Sequence, residues 1–310
     1  MGNFEDGWRN YESRREVQRK SFNGPTWLGP VPHDQGGVDT LIVHGEQGFG
    51  DTLQFCRYVP MLTQFANRVI FECQAPVANL MAALGQTIEI RSTQQSTPTP
   101  YADSDYHIPL LSLPKTFGTK LKTIPASVPY LVPDLDKVAI WQERIEQLDG
   151  PGGLRDLGQS APKIGLVWSG NPSRQDDQMR SCPPEMLSTL LKTDGISFFN
   201  LQKEGIPKYL VPLHDFSPSL TDFSETAAAI AALDLIITVD TAVAHLAGAL
   251  GKPVWVMLSY AADWRYLLKR EDSPWYPTMR LFRQTEPGDW PGLIKSVTSA
   301  LKKWRTQREE

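Results

Sequence analysis

The feature that most constrains this chain is an alternation that runs twice. Short β-branched segments, glycine-bearing turns and helix-length amphipathic stretches succeed one another from Val38, stop, and start again at Lys163. In the first half VDTLIVHG (38–45), RVIFECQ (68–74), TIEIR (87–91) and Tyr106–Leu110 read as strands. A helix bearing Phe55, Val59, Leu62 and Ala66 on one face and a second over 75–84 separate the first three. Asp134 is the expected N-cap of a helix carrying Val138, Trp141, Ile145 and Leu148. In the second half the strands are 163–170, 196–202, 234–240 and 252–258, with helices over 184–192, 224–233, 241–251 and 294–304. Strands alternating with helices imply parallel sheets covered on both faces, hence two doubly wound α/β halves. Between them, residues 149–162 hold four glycines and two prolines in fourteen positions, a linker composition. The expected division is an N-terminal helical appendage over 1–37, Rossmann-like domains over 38–150 and 151–290, and a C-terminal helix over 291–310. In the appendage Phe4, Trp8 and Tyr11 form one helix face, which could pack on its own domain or on a repeat array. The apolar residues near Trp8 and Trp27 are the expected exposed surface for self-association, with the oligomeric state left open.

Composition excludes several classes. The 310 residues are 41% hydrophobic and 21% charged, which is globular rather than disordered. Thirty-one Lys and Arg against 35 Asp and Glu give a net charge of −4, so no chain-wide basic field exists for nucleic acid. No apolar run approaches the roughly 20 residues of a membrane span, and the polar N-terminus has no secretory apolar core. Cys56, Cys73 and Cys182 are an odd number, widely spaced, which suits reduced thiols and a cytoplasmic location. No metal is expected. Asp103 and Asp105 sit in a polar loop, Asp134 and Asp136 open a helix, and His33, His44, His107, His214 and His245 are scattered without ligand spacing.

In doubly wound sheets ligands sit beyond the carboxyl ends of the strands, so the residues that follow strands are the candidates. GEQGFGDT lies between a strand and a helix, but no Lys follows its last Gly and the third glycine of a dinucleotide fingerprint would fall at Leu53. Gly48 and Gly50 permit close backbone approach. Asp51 is either a helix-start carboxylate or a general base for an acceptor hydroxyl. In VDTAVAHLAGALGKPV, Asp240 and Thr241 lead into a helix of small residues whose first amides, at Ala242 and Val243, can approach a diphosphate. His245 is either a phosphate donor or a satisfied buried residue. Ser169 and Asn171 follow one strand, a loop with Arg174 and Arg180 comes next, and Gln202, Lys203 and Glu204 follow another. Lys203 and Arg180 could offset charge on a departing diphosphate, and Glu204 could accept from ribose hydroxyls.

Together EQGFGDTLQFCRYVP, VWSGNP…RS, LQKE, DFSETAAAIAALDLIITVDTAVAHLAGALGKPVWVML and DWRYLL…DSPWYPTMRLFRQ resemble glycosyltransferase family 9, the heptosyltransferase-related group of GT-B architecture. The nearest likeness is to the glycosyltransferase-like domain that ends bacterial tetratricopeptide-repeat proteins. The resemblance implies two Rossmann-like domains facing across a cleft, and inverting, metal-independent transfer from a nucleotide-diphosphate sugar. Asp51 matches the family's proposed base, and Arg180 a basic phosphate contact that is usually Lys. Thr241, Ala242, Val243 and His245 match the start of the diphosphate-binding helix, and Glu204 the ribose contact. Ala242 replaces the glycine of the heptosyltransferase Asp-Thr-Gly, which weakens heptose as the sugar. Repeat-linked relatives suggest a protein acceptor. Two other classes fit the same fold: a binding module that has lost its chemistry, and a nucleotide-sugar epimerase.

Overall fold

The computed structural model describes residues 2–14, 24–29, 38–93, 105–148, 161–173, 177–210 and 212–309. The chain divides into two compact units, Met1–Val132 and Pro133–Glu310. Most of the linker, residues 149–160, lies outside the described residues, as do His33, Asp103 and Arg174.

The first unit is built on four parallel strands, β1 (Val38–His44), β2 (Ala66–Gln74), β3 (Ile88–Thr93) and β4 (Tyr106–Pro109), in the order β3-β2-β1-β4. Its helices are α1 (Phe4–Tyr11), α2 (Phe49–Phe55), α3 (Ala75–Met81) and α4 (Leu113–Thr116). The expected helix through Ala66 is shorter. It passes from α2 into a 3₁₀ segment, Cys56–Gln64, and Ala66 opens β2. Pro60 inside that segment has no N–H to continue an α-helical ladder. Phe55, Val59 and Leu62 are nonetheless all buried, so the apolar period holds where the helix type changes.

The N-terminal segment is part of this unit. Phe4 and Trp8 are buried, and the Trp8 indole N–H donates to the Thr119 carbonyl at 2.8 Å while its ring meets Phe55 edge-on. Trp27 packs on Phe65 and Phe117, and its backbone N–H donates to the carbonyl of His107 in β4. Both tryptophans are about 4% exposed, each indole in an apolar pocket within its own unit, while Leu28 beside Trp27 is exposed.

The second unit carries six parallel strands, β5 (Lys163–Val167), β6 (Ser197–Asn200), β7 (His214–Asp215), β8 (Leu235–Val239), β9 (Val254–Leu258) and β10 (Met279–Arg283), in the order β10-β9-β8-β5-β6-β7. Read from β7 this is the 3-2-1-4-5-6 order of a Rossmann sheet, and the first unit repeats its 3-2-1-4 portion. The helices are α5 (Leu135–Leu148), α6 (Asp177–Arg180), α7 (Ser188–Leu191), α8 (Phe223–Ala231), α9 (Ala242–Ala249) and α10 (Trp290–Glu309). Asp134 caps α5 through its carboxylate, which accepts from the Asp136 and Lys137 amides. Helix α5 belongs to this second unit, although the sequence reading put it with the first half. Trp141 packs at a tilt against Phe216 and donates to Glu225 of α8 at 3.0 Å, and Lys137 pairs with the same carboxylate. The core between β5, β8, β9 and α10 includes Ile164, Leu166, Leu235, Ile237, Trp255, Leu293 and Val297. No helix among the described residues is long and apolar enough to cross a membrane.

Candidate functional site

In each sheet the strand order reverses at one place, between β1 and β4 in the first unit and between β5 and β8 in the second. Ligands of open α/β sheets bind beyond the strand ends at that reversal.

In the first unit the reversal is bridged by the chain's own ions. Glu46, just past β1, accepts from the Leu111 amide just past β4 at 3.1 Å. The same carboxylate pairs with Arg14 at 2.7 Å, and both side chains are nearly buried. Arg14 also reaches Glu12 and the Ser112 hydroxyl, which in turn donates to Glu12. Ion pairing with Glu46 and Glu12 outweighs burial and raises the pKa of Arg14. Tyr11 donates to the Gln47 side chain, and Gln74 holds the Gln47 carbonyl at 2.6 Å, so the glycine-rich loop is gripped from two sides. Asp51 sits at the third position of α2, half-exposed, and its Oδ2 accepts from the Gly48 amide at 3.0 Å. A Cβ at Gly48 would touch that oxygen at 3.4 Å. Gly50 lies in the first turn of the same helix.

In the second unit the reversal is framed differently. Gln202 accepts from the Trp168 and Ser169 amides, at 3.3 and 3.1 Å, and so holds the exit of β5. The other end of its amide donates to Glu204, whose own side chain is exposed, as is that of Lys203. The Lys203 ammonium donates to the Leu220 carbonyl at 2.6 Å. Asn171 is exposed, and its side chain accepts from the Ser173 amide. Arg180 crosses the reversal: its Nε donates to Asp177 at 3.0 Å and its Nη1 donates to the Asp240 carbonyl at 3.0 Å. Gly170 makes this crossing possible, because a Cβ there would meet the Arg180 Nη2 at 2.3 Å. Asp177 also accepts from Ser181, whose hydroxyl receives the Gly170 amide.

Helix α9 starts at this place. Its N-cap, Thr241, is extended, with φ −138°, and its side chain makes no capping hydrogen bond, pairing instead with the Thr238 hydroxyl at 3.0 Å. No acidic residue lies in the first turn. Four amides at a helix start have no intrahelical partner, and here the turn is Ala242 and Val243, both half-buried. A helix start of this kind can hold an anion through its amides and dipole. Asp240 lies beside it, its carboxylate accepting from Tyr266 at 2.7 Å, and burial together with nearby Asp263 pushes its pKa up. His245 is buried, with Nδ1 3.0 Å from the Tyr276 hydroxyl.

Thus Asp240, Thr241, Ala242, Val243, Ser169, Gln202 and Arg180 gather around one strand reversal. Gly48, Gly50 and Asp51 form a separate group in the other unit. Sequence reasoning missed Asp177, Tyr266 and Tyr276, which grip this site. The strings VWSGNP…RS and DWRYLL…DSPWYP contain or bracket all three, but nothing in those strings says which strand end they meet. The three cysteines are buried, which raises their pKa, to about 12 for Cys73 and Cys182, and marks them as packing groups. Among the described residues no three His, Cys, Asp or Glu side chains group to hold a metal ion.

Comparison with known proteins points to one family. The model of glycosyltransferase family 9 (heptosyltransferase) matches residues 219–258, the stretch that contains α8, β8, α9 and β9. Protein FlbA of Caulobacter vibrioides is 27% identical over an alignment of 331 positions, covering 97% of this chain and 53% of FlbA. The chain therefore spans about half the length of that curated relative. Among solved structures, a family 9 glycosyl transferase from Veillonella parvula superposes with a TM-score of 0.58 at 10% identity, covering 87% of this chain and 98% of that one. The ADP-heptose lipopolysaccharide heptosyltransferase II of E. coli gives 0.55 at 14% identity, over 87% and 100%. The fold is GT-B, two Rossmann-like units in one chain.

Proposed function

We propose that this chain, a glycosyltransferase of the family 9 type, moves a sugar from a nucleotide-diphosphate donor to a hydroxyl acceptor with inversion and without a metal ion. The observation that carries the donor reading is the start of α9, where a strand end, an uncapped first turn and the Arg180 guanidinium converge. That the name of one similar structure includes ADP-heptose supports a nucleotide-sugar donor here.

In this reading the donor belongs to the second unit. Its diphosphate accepts from the Ala242 and Val243 amides, with Thr241 and Ser169 beside it. Arg180 adds positive charge held in place by Asp177, so charge on the departing diphosphate is met by fixed dipoles and a cation rather than by magnesium. Gln202 sets the loop on which Glu204 meets the ribose, and Asn171 and Lys203 rim the site. Asp51, contributed by the first unit, takes the proton. As the acceptor oxygen bonds to the anomeric carbon, the carbon–phosphate-oxygen bond breaks and its electron pair leaves with the diphosphate. Attack from the face opposite the leaving group inverts the anomeric centre. Asp51 keeps carboxylate lone pairs beyond the one that receives the Gly48 amide, so capping and proton uptake are compatible. The first unit serves the acceptor, for which a protein hydroxyl is the proposed class, and the setting is the cytoplasm.

The test is calorimetry against ADP, GDP, UDP and CDP in EDTA, followed by an assay of donor hydrolysis with water as acceptor. Binding of one diphosphate in EDTA, with release of the inverted sugar from its donor, is expected. No binding by any of the four would overturn the donor site, and binding that requires a divalent cation would overturn metal independence. Binding with no turnover on any acceptor is the outcome expected of a silent module. Asp51's engagement as a cap is the one observation that favours that second reading.

A further inference from the structure

The segment that follows β9 contains two buried tyrosines, distant in sequence from α9, of which one touches the residue before its N-cap and the other the helix itself. Tyr266 is about 1% exposed and its hydroxyl donates to the Asp240 carboxylate at 2.7 Å. Tyr276 is equally buried, its hydroxyl lies 3.0 Å from His245 Nδ1, and its ring lies over Gly248, where a Cβ would come within 2.5 Å. His245 and Gly248 are three residues apart on one helix face. One tyrosine therefore holds the residue that precedes the N-cap of α9, and the other holds the helix one turn further on.

We propose that Tyr266 and Tyr276 are positioning residues that fix Asp240 and the first turn of α9 for a nucleoside diphosphate. The proposal rests on the donor reading above and adds to it which residues set donor affinity.

The surroundings of Tyr266 show that its place is over-determined. The Asp263 carboxylate accepts from the Arg265 amide and opens the short 3₁₀ turn that ends at Tyr266. Arg283, in β10, donates to the Tyr266 carbonyl at 2.7 Å and to the Arg270 carbonyl at 3.2 Å. Between those two carbonyls the backbone twice enters the left-handed region, at Leu267 with φ 55° and Lys269 with φ 54°, neither a glycine. Each such residue costs free energy and persists only where neighbours hold it. Here the tightly held carbonyl is that of the tyrosine that reaches Asp240. Asp240 is in turn gripped at both ends, by Tyr266 on its carboxylate and by Arg180 on its carbonyl.

The chemistry gives a readout that packing alone would not move. Burial and Asp263 disfavour the Asp240 carboxylate, while the Tyr266 hydroxyl, Arg265 and Arg180 favour it. Removing the hydroxyl deletes one of the three groups that stabilise the anion, so Asp240 should then titrate at higher pH.

The experiment uses the full chain and whichever of ADP, GDP, UDP or CDP binds it most tightly. Tyr266→Phe and Tyr276→Phe keep each ring and delete one hydroxyl; Tyr58→Phe removes a buried hydroxyl in the first unit, where it meets Thr119 at 3.0 Å. About tenfold weaker diphosphate binding is expected for Tyr266→Phe and a smaller loss for Tyr276→Phe, with Tyr58→Phe unchanged. The pH dependence of binding should move upward for Tyr266→Phe alone. Thermal melts of all three report any general loss of fold. Failure of the wild-type chain to bind any of the four diphosphates would remove the donor reading itself. Wild-type binding that both Tyr266→Phe and Tyr276→Phe retain within twofold, with an unmoved pH profile, would overturn this inference alone. So would an equal loss in Tyr58→Phe.

Discussion

The two units share a strand order but treat its reversal in opposite ways. In the first, Glu46 links the ends of β1 and β4 and is neutralised by Arg14, and the helix that follows β1 carries Asp51 in its first turn, its carboxylate accepting from the Gly48 amide. In the second, Arg180 links the exits of β5 and β8, and the helix that follows β8 starts without a side-chain cap. One reversal thus centres on a carboxylate neutralised by Arg14, and the other on an arginine paired with Asp177 beside a helix whose first turn holds no acid. The difference teaches which helix start suits an anion: the first turn of α2 carries Asp51, whereas that of α9 carries no acid, with Asp240 lying just before it.

Four changes would break or sharpen that contrast. The largest effect is expected from Asp51→Asn, which can still accept from Gly48 but cannot take a proton. Turnover should fall by roughly 10²–10⁴ with the melting temperature nearly unchanged, and full turnover would deny Asp51 the role of base. Next, Arg14→Met leaves Glu46 buried without its cation and should destabilise the first unit by about 3–5 kcal/mol, measured by urea unfolding. A change under about 1 kcal/mol would mean that the pair is no better than a surface one. Thr241→Asp would put a capping carboxylate at the start of α9, whose first turn holds no acid. Diphosphate affinity should drop by at least about tenfold while the ligand-free protein gains up to about 1 kcal/mol; undiminished affinity would place the anion elsewhere. The smallest effect concerns pH. Because the folded state raises the Asp240 pKa, the native protein binds more protons than the unfolded one above the ordinary carboxylate range. Its stability should therefore decline as pH rises through that window, and Asp240→Asn should decline less. Parallel urea midpoints for the two proteins would contradict the shift.

Much of the scaffold was legible because strand-forming runs in a parallel sheet are continuously apolar. LIITV and VWVML show it nearly throughout and VDTLIVH from Leu41 to Val43, and β1 and β8 are followed by the glycine or small residues of a helix start. β10 was not legible: in MRLFR two arginines interrupt a run of only three apolar residues, and Arg280 and Arg283 serve the edge rather than the core. Nor was the allegiance of α5, since an amphipathic face bearing Trp141 and Ile145 announces burial without naming its partner. The same limit left the face bearing Trp8 open between its own domain and another partner, and only the structure shows that it packs within its own unit. Of the candidate site, the α9 start was readable from local sequence. Its supports were not: Tyr266 meets Asp240 across 26 positions, Tyr276 meets His245 across 31, and Arg14 meets Glu46 across 32. Such pairings depend on tertiary closure, which no local period encodes.

Gly170 carries a consequence for how this site tolerates change. The guanidinium of Arg180 and a carboxylate oxygen of Asp177 both lie inside the volume that a methyl group there would fill. An alanine at 170 would evict the arginine without touching its codon, so the two positions form a single mutational target. A lineage that loses the glycine surrenders the cation with it, and regaining the cation requires the glycine first.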